Sequence, residues 1–311
     1  MNINHCISLA LTSIVVSATA YAQVRPSRTW WHSADWQRPP AGPMASVQGG
    51  ADVARSSGST YDEQAWQFRT HVVVEPYRFT DSTADVQVTT TISAHQELTA
   101  NPFNDIAFNP RTMRWEEHMQ IHVSTASWTM RAGWLHRCKH DIDNIDGPSE
   151  LNPLSPQSAA QRTIILSGPT IGAGLAPFPL LGGMCRIEGG TEVYVLASDY
   201  RRPAQSQPIG SWKAMQGAVW GRAAAAWSLT DRVHLQTMHY LSAPWFSDRQ
   251  GAPQDWPLPH EARAEVSLGV NGAASSVDLV LHAEHTFDEL AMLDARPSTY
   301  IGIGLRFGPR W

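Results

Sequence analysis

The feature that most constrains this chain is a recurring alternation of period two, with apolar side chains at every second position of short segments separated by turn-forming residues. From Ala262 to Val270 the even positions are Ala262, Ala264, Val266, Leu268 and Val270, while Arg263, Glu265, Ser267 and Gly269 fill the odd ones. After the turn at Asn271-Gly272, Val277, Leu279, Leu281 and Ala283 repeat the pattern against Asp278, His282 and Glu284. The last segment sets Ile301, Ile303, Leu305 and Phe307 opposite Gly302, Gly304 and Arg306. Such segments are strands with one apolar and one polar face, and no stretch sustains a helical period.

A closed barrel and a soluble exported β-sheet ligand-binding protein both produce this pattern, so other features must separate them. Residues 1–22 contain no Asp, Glu, Lys or Arg and hold an apolar run from Ile7 to Val16 before Ala20-Tyr21-Ala22. That is the form of a secretory signal peptide, cleaved before Gln23, which removes Cys6 and leaves two cysteines. No later stretch approaches the ~20 apolar residues of a membrane-spanning helix. Only 16% of residues are charged, against ~25% in ordinary soluble domains, while tryptophan reaches 13. Low charge and abundant tryptophan suit a protein that meets lipid at two interfaces. The net charge of −5, without a Lys/Arg block, argues against nucleic acid as a partner.

The chain from Gln23 to about residue 65 reads as an irregular leader, and 66–311 as the barrel domain. Outer-membrane barrels alternate short periplasmic turns with longer outer loops. The short connections here are Phe79–Thr83, Thr125–Ala126, Leu229–Asp231 and Asn271–Ser276, and the long ones Leu98–Thr112, His140–Gln161, Asp199–Gly210, Ser247–Pro259 and Asp288–Ser298. The connection around Pro177–Gly183 is longer than its place in the alternation predicts. An even strand count requires one further strand within Met44–Arg55, giving about 12. The predicted fold is an all-β antiparallel transmembrane barrel. Trp128, Trp134 and Trp220 are expected on its outward lipid belt.

With Ile301, Ile303, Leu305 and Phe307 alternating just before Trp311, the chain resembles bacterial outer-membrane proteins whose final strand ends in an aromatic assembly signal. Gly308-Pro309-Arg310 intervenes, so Phe307 is the alternative bearer of that signal. The resemblance implies outer-membrane lipid and a barrel-assembly machinery as partners.

The most pointed local sequence is Trp134-Leu135-His136-Arg137-Cys138-Lys139-His140-Asp141-Ile142-Asp143. A Cys138–Cys185 disulfide suits an oxidising compartment. The predicted strand levels oppose it, because ~11 residues at ~3.3 Å each separate the two positions. A metal loop at Asp141, Asp143 and Asp146, flanked by His136 and His140, lacks calcium-loop spacing, since Ile145 holds the fifth position. A solvated acidic loop accounts for it better, and no metal or other cofactor is expected.

His136-Arg137-Cys138 resembles the His-x-Ser motif of outer-membrane lipid A deacylases, with Cys in place of Ser. That resemblance implies an outer-leaflet lipid-ester hydrolase with Cys138 as nucleophile, His136 as base and Glu117 as the group that orients it. In that reading a hairpin about Thr125 and Ala126 places Glu117 opposite Trp134 and diagonal to His136. The preferred reading is a rim of histidines and tryptophans at headgroup level. Arg131, Arg137, Lys139, Arg263, Glu265, Asp278, His282, Glu284 and Arg306 should face the lumen as a mixed-sign lining. No nucleotide, zincin or serine-elbow motif is present. The functional expectation is a porin-like passive pore or a structural surface protein, with the lipid-ester hydrolase as the enzyme alternative.

Overall fold

The computed structural model describes residues 42–56, 65–81, 85–101, 108–141, 161–202, 215–247, 261–272, 275–286 and 298–309. The expected signal peptide, most of the leader, the acidic loop after Asp141 and Trp311 lie outside them. Fourteen paired segments follow in chain order: β1 Gly42–Ser56, β2 Trp66–Asp81, β3 Val86–Asn101, β4 Asn109–Ser124, β5 Trp128–Asp141, β6 Gln161–Leu175, β7 Phe178–Leu180, β8 Gly183–Val193, β9 Leu196–Arg202, β10 Met215–Ser228, β11 Val233–Phe246, β12 Glu261–Asn271, β13 Ser275–Thr286 and β14 Ser298–Pro309. β7 extends β6 beyond a break at Ala176-Pro177, and β8 with β9 forms one strand interrupted at Tyr194-Val195, so the wall has twelve strands. Every neighbour is antiparallel, and β14 pairs with β1 from Gly49↔Phe307 to Ser56↔Tyr300, which closes the sheet on itself. Closure removes the unpaired edges that a membrane interior would not tolerate.

The connection around Pro177 is a correction to the sequence reading. Phe178–Leu180 continues the strand by pairing with Gly183–Cys185, leaving only Leu181 and Gly182 as the turn. Both have positive φ, 51° and 75°, as a two-residue hairpin turn of the primed type requires. The place in the alternation is therefore short after all.

The register shifts at several places, among them Pro43–Ser46, Val74–Tyr77, Thr99–Ala100 and Met215–Gly217, and a further irregularity on β6 shapes the lumen. Thr170 pairs with Glu192 and Ser167 with Leu196, so three steps on β6 face four on the opposing strand. The extra residue forms a bulge at Tyr194-Val195, opposite Gly168 and Pro169. Proline cannot donate to a ladder, and a Cβ at Gly168 would overlap the Val193 carbonyl oxygen, so both residues suit the bulge. The Tyr194 amide bonds across to the Gln216 carbonyl at 2.7 Å, and its side chain enters the lumen.

Alternation then sorts the side chains. Val277, Leu279, Leu281, Ile301, Ile303, Leu305 and Phe307 face outward and are exposed, whereas Asp278, His282, Glu284, Gly302 and Gly304 face the lumen and are buried. Aromatic side chains collect at both ends of the outward band: Trp66, Phe68, Trp115 and Trp245 near the outer ends of their strands, and Tyr77, Phe79, Trp128, Trp227 and Phe307 near the turns. A polar interior inside an apolar band with two aromatic girdles is the inverse of a soluble fold, and the soluble β-sheet alternative falls. The protein is an outer-membrane β-barrel.

Trp128 and Trp134 stand on the outward belt, 42% and 48% exposed, but Trp220 does not: it is 6% exposed and points into the lumen. Its parity is that of Arg222, which pairs with a lumen carboxylate, so the indole must follow the guanidinium inward. Room for it comes from Gly172 and Gly190 on the two preceding strands, where any Cβ would strike the indole ring.

Candidate functional site

Two arrangements merit description as sites, one inside the wall and one outside. Inside, Arg131, Arg137, Lys139, Arg263, Glu265, Asp278, His282 and Glu284 are all buried, and Arg306 nearly so. The register assembles them into two hubs. Arg263 on β12 reaches Glu265 at 2.6 Å, Glu284 at 3.0 Å and Asp52 at 3.4 Å. Arg69 on β2 meets the same Glu284 at 2.7 Å and Glu97 at 3.1 Å. His282 lies 3.3 Å from Asp52, and Arg306 binds Glu265 at 2.6 Å.

The second hub lies on β4, β5, β8 and β10. Glu188 accepts Arg131 at 2.7 Å, Arg186 at 3.0 Å and also Arg222. Arg137 donates to Glu116 at 2.6 Å and to the Tyr194 hydroxyl at 2.8 Å, while that hydroxyl donates to Glu192 at 2.8 Å. The Arg131 guanidinium stacks on the Trp220 ring, 4.2 Å from its centroid. A smaller group joins His234 and Gln236 to Asp278, at 3.0 and 3.3 Å. Buried charges persist only when paired and hydrogen-bonded, and these hubs supply that pairing.

Sequence reasoning did not single out Asp52, Arg69, Glu97, Glu116, Arg186, Glu188, Glu192, Tyr194, Trp220 or Arg222 as lumen residues. A signal existed for some of them: Arg186, Glu188 and Glu192 alternate with Ile187, Gly189 and Val193 as clearly as any C-terminal segment. For Tyr194 there was none, because its position depends on a bulge.

Outside, Cys138 and Cys185 are both free and far apart: Cys138 is in register with Ile165 near the outer end of β6, and Cys185 with Phe178 beside the opposite turn. Twelve or so residues at ~3.3 Å separate those levels, beyond any disulfide. Glu117, His136 and Cys138 all face outward, as expected, but the register differs from the sequence reading by two residues. The hairpin turn spans Thr125 to Ser127, with the Thr125 hydroxyl accepting the amides of Ser127 and Trp128 at 3.3 and 3.2 Å. Glu117 therefore lies directly opposite His136, and Met119 opposite Trp134. Cys138 faces Trp115, and no hydrogen bond joins it to His136 or His136 to Glu117. On the other side of His136 stands Ser167. Its hydroxyl accepts the Trp134 indole N–H and donates to the Leu135 carbonyl, both at 2.9 Å. Among the described residues no group of His, Cys, Asp and Glu could hold a metal ion.

Neither a protein-family model nor a curated protein sequence matches this chain. Among solved structures, the β domain of the Bordetella autotransporter BrkA is similar at a TM-score of 0.47 and 8% identity, covering 86% of this chain and 98% of that one. The transport unit of the autotransporter AIDA-I from Escherichia coli gives 0.43 and 11%, covering 97% and 98%. LpxR from Salmonella typhimurium gives 0.39 and 8%, covering 84% and 99%.

Proposed function

We propose that this outer-membrane barrel is sealed, a structural surface protein and not an open pore. The observation that carries the reading is the burial of the lumen charges: Arg69, Glu97, Glu192, Arg263 and Glu284 are each no more than 3% exposed. A water-filled channel wets the charges that line it, whereas these are packed against one another across neighbouring strands. Phe307, outward near the end of β14, supports recognition of the final strand by a barrel-assembly machinery.

Planar-bilayer recording of the folded, purified barrel tests this. The wild type is expected to give no steady unitary conductance in potassium chloride. The double variant Arg69→Ala, Arg263→Ala, which empties the first hub of its central cations, is expected to give discrete openings. A large, reproducible conductance of the unaltered protein would overturn the sealed reading and restore the passive pore.

A further inference from the structure

The lumen holds a second population of titratable groups, which the arginine-centred hubs do not require. Among the described residues, nine guanidinium or ammonium side chains and nine carboxylates are buried inside the barrel, with Arg306 at the margin. The two signs are thus close to balance. Five histidines, His71, His95, His118, His234 and His282, are buried with them. Imidazole is the side chain that gains its charge between about pH 8 and about pH 5. Mild acid therefore adds as many as five cations to an interior whose carboxylates are already matched.

Three of these histidines have a carboxylate beside them: His118 lies 2.8 Å from Glu116, His234 3.0 Å from Asp278 and His282 3.3 Å from Asp52. His71 and His95 differ, because they stand directly opposite each other on β2 and β3. They lie at mid-height, between the girdle residues Phe68 and Tyr77. Side chains so placed have Cβ atoms ~4.5–5.5 Å apart, and like charges there repel. Every carboxylate packed against the pair already binds a cation. On β4, Glu116 is opposite His95, and it holds Arg137 at 2.6 Å and Arg114 at 3.4 Å besides His118. On β2 and β3 themselves, Arg69 and Glu97 bind each other at 3.1 Å. On β1, Gly50 stands opposite His71 without a side chain. Asp52, next along that face, is shared by Arg263 and His282 and lies close enough to His95 to feel its charge. On β14, Arg306 is opposite Gly50 and adds a further cation, bound to Glu265 at 2.6 Å.

We infer that the His71–His95 pair makes this barrel an acid-opened pore, in which charging of the pair parts the lumen network, admits water and leaves a cation-rich passage that conducts anions. The inference rests on the sealed reading and adds a second state to it. A charge without a partner is far costlier in a dry interior than in water, so the charged pair belongs to the hydrated state. Opening therefore takes up protons, and falling pH favours it by about tenfold per pH unit for each proton gained. The sign of the excess charge sets the preference for anions.

Planar-bilayer recording across a potassium chloride gradient, at about pH 7.5 and about pH 5, tests this. The wild-type barrel should be silent at the higher pH and open at the lower, with open probability raised roughly a hundredfold and a reversal potential displaced toward that of chloride. Its rise with acid should approach a slope of about two protons, a readout that needs no variant to fold. The double variant His71→Gln, His95→Gln should stay closed in acid. His234→Gln, which removes an imidazole that has Asp278 beside it, should still open. The mobility of unheated samples in gels at both pH values checks that each barrel remains folded. Conductance at neutral pH that acid does not increase would overturn the sealed reading and this inference together. Silence of the folded wild type at both pH values would leave the sealed reading standing and overturn the inference alone. Acid opening that persists in the double variant, or that passes cations in preference to chloride, would overturn it too.

Discussion

Arg137 shows how much one side chain can hold together. It bridges Glu116 on β4 and the bulge tyrosine Tyr194, with Glu192 within 3.4 Å. Truncating one partner of a buried ion pair leaves the others uncompensated, at a cost of about 3–5 kcal/mol. Arg137→Ala should therefore lower the unfolding free energy of the detergent-folded barrel by that amount, read from a urea titration as a lowered midpoint, while Arg137→Lys recovers only part, because an ammonium cannot reproduce the fork. Trp220 poses the opposite requirement, for space. Gly190→Val should cost about 1–3 kcal/mol through overpacking against the indole, read by the same titration. The lumen lining near the C-terminus was legible in the sequence because Arg263, Glu265, Asp278 and His282 sit at alternate positions. Trp220 was misread because tryptophan is the usual girdle residue, and only the register reveals the two glycines beneath it.

At the level of elements, strands announce themselves through period two, and eleven of the twelve were legible that way, while β1 entered only because an even count required it. Turn register was less so. A shift of two residues keeps every side chain on its face, so the apolar pattern cannot distinguish Glu117 opposite Trp134 from Glu117 opposite His136. The hydrogen bonds of the Thr125 hydroxyl decide it, and they are invisible to periodicity. The Leu181-Gly182 turn offers a direct test of turn chemistry. Leu181 holds φ at 51°, a region that leucine enters at a cost of roughly 1–2 kcal/mol and asparagine enters more readily. Leu181→Asn should therefore stabilise the barrel by about 1 kcal/mol, measured as a raised thermal midpoint; a lowered midpoint would show that the outward leucine contributes more through lipid contact than the turn loses.

For the whole molecule, closure is what distinguishes a barrel from a sheet, and the first hub lies across the line of closure. Asp52 on β1 is held by Arg263 and His282 from β12 and β13, and Arg69 on β2 by Glu284 from β13. These partners are distant in sequence and come together only when β14 has met β1. Contacts made that late are expected to act on the rate of opening and hardly on the rate of closing. Asp52→Asn should accelerate unfolding in denaturant while leaving refolding nearly unchanged, which gel-mobility time courses in both directions would show. On that expectation the charged lining is a latch fastened after the wall is complete, and the lifetime of the folded barrel should follow the strength of that seam.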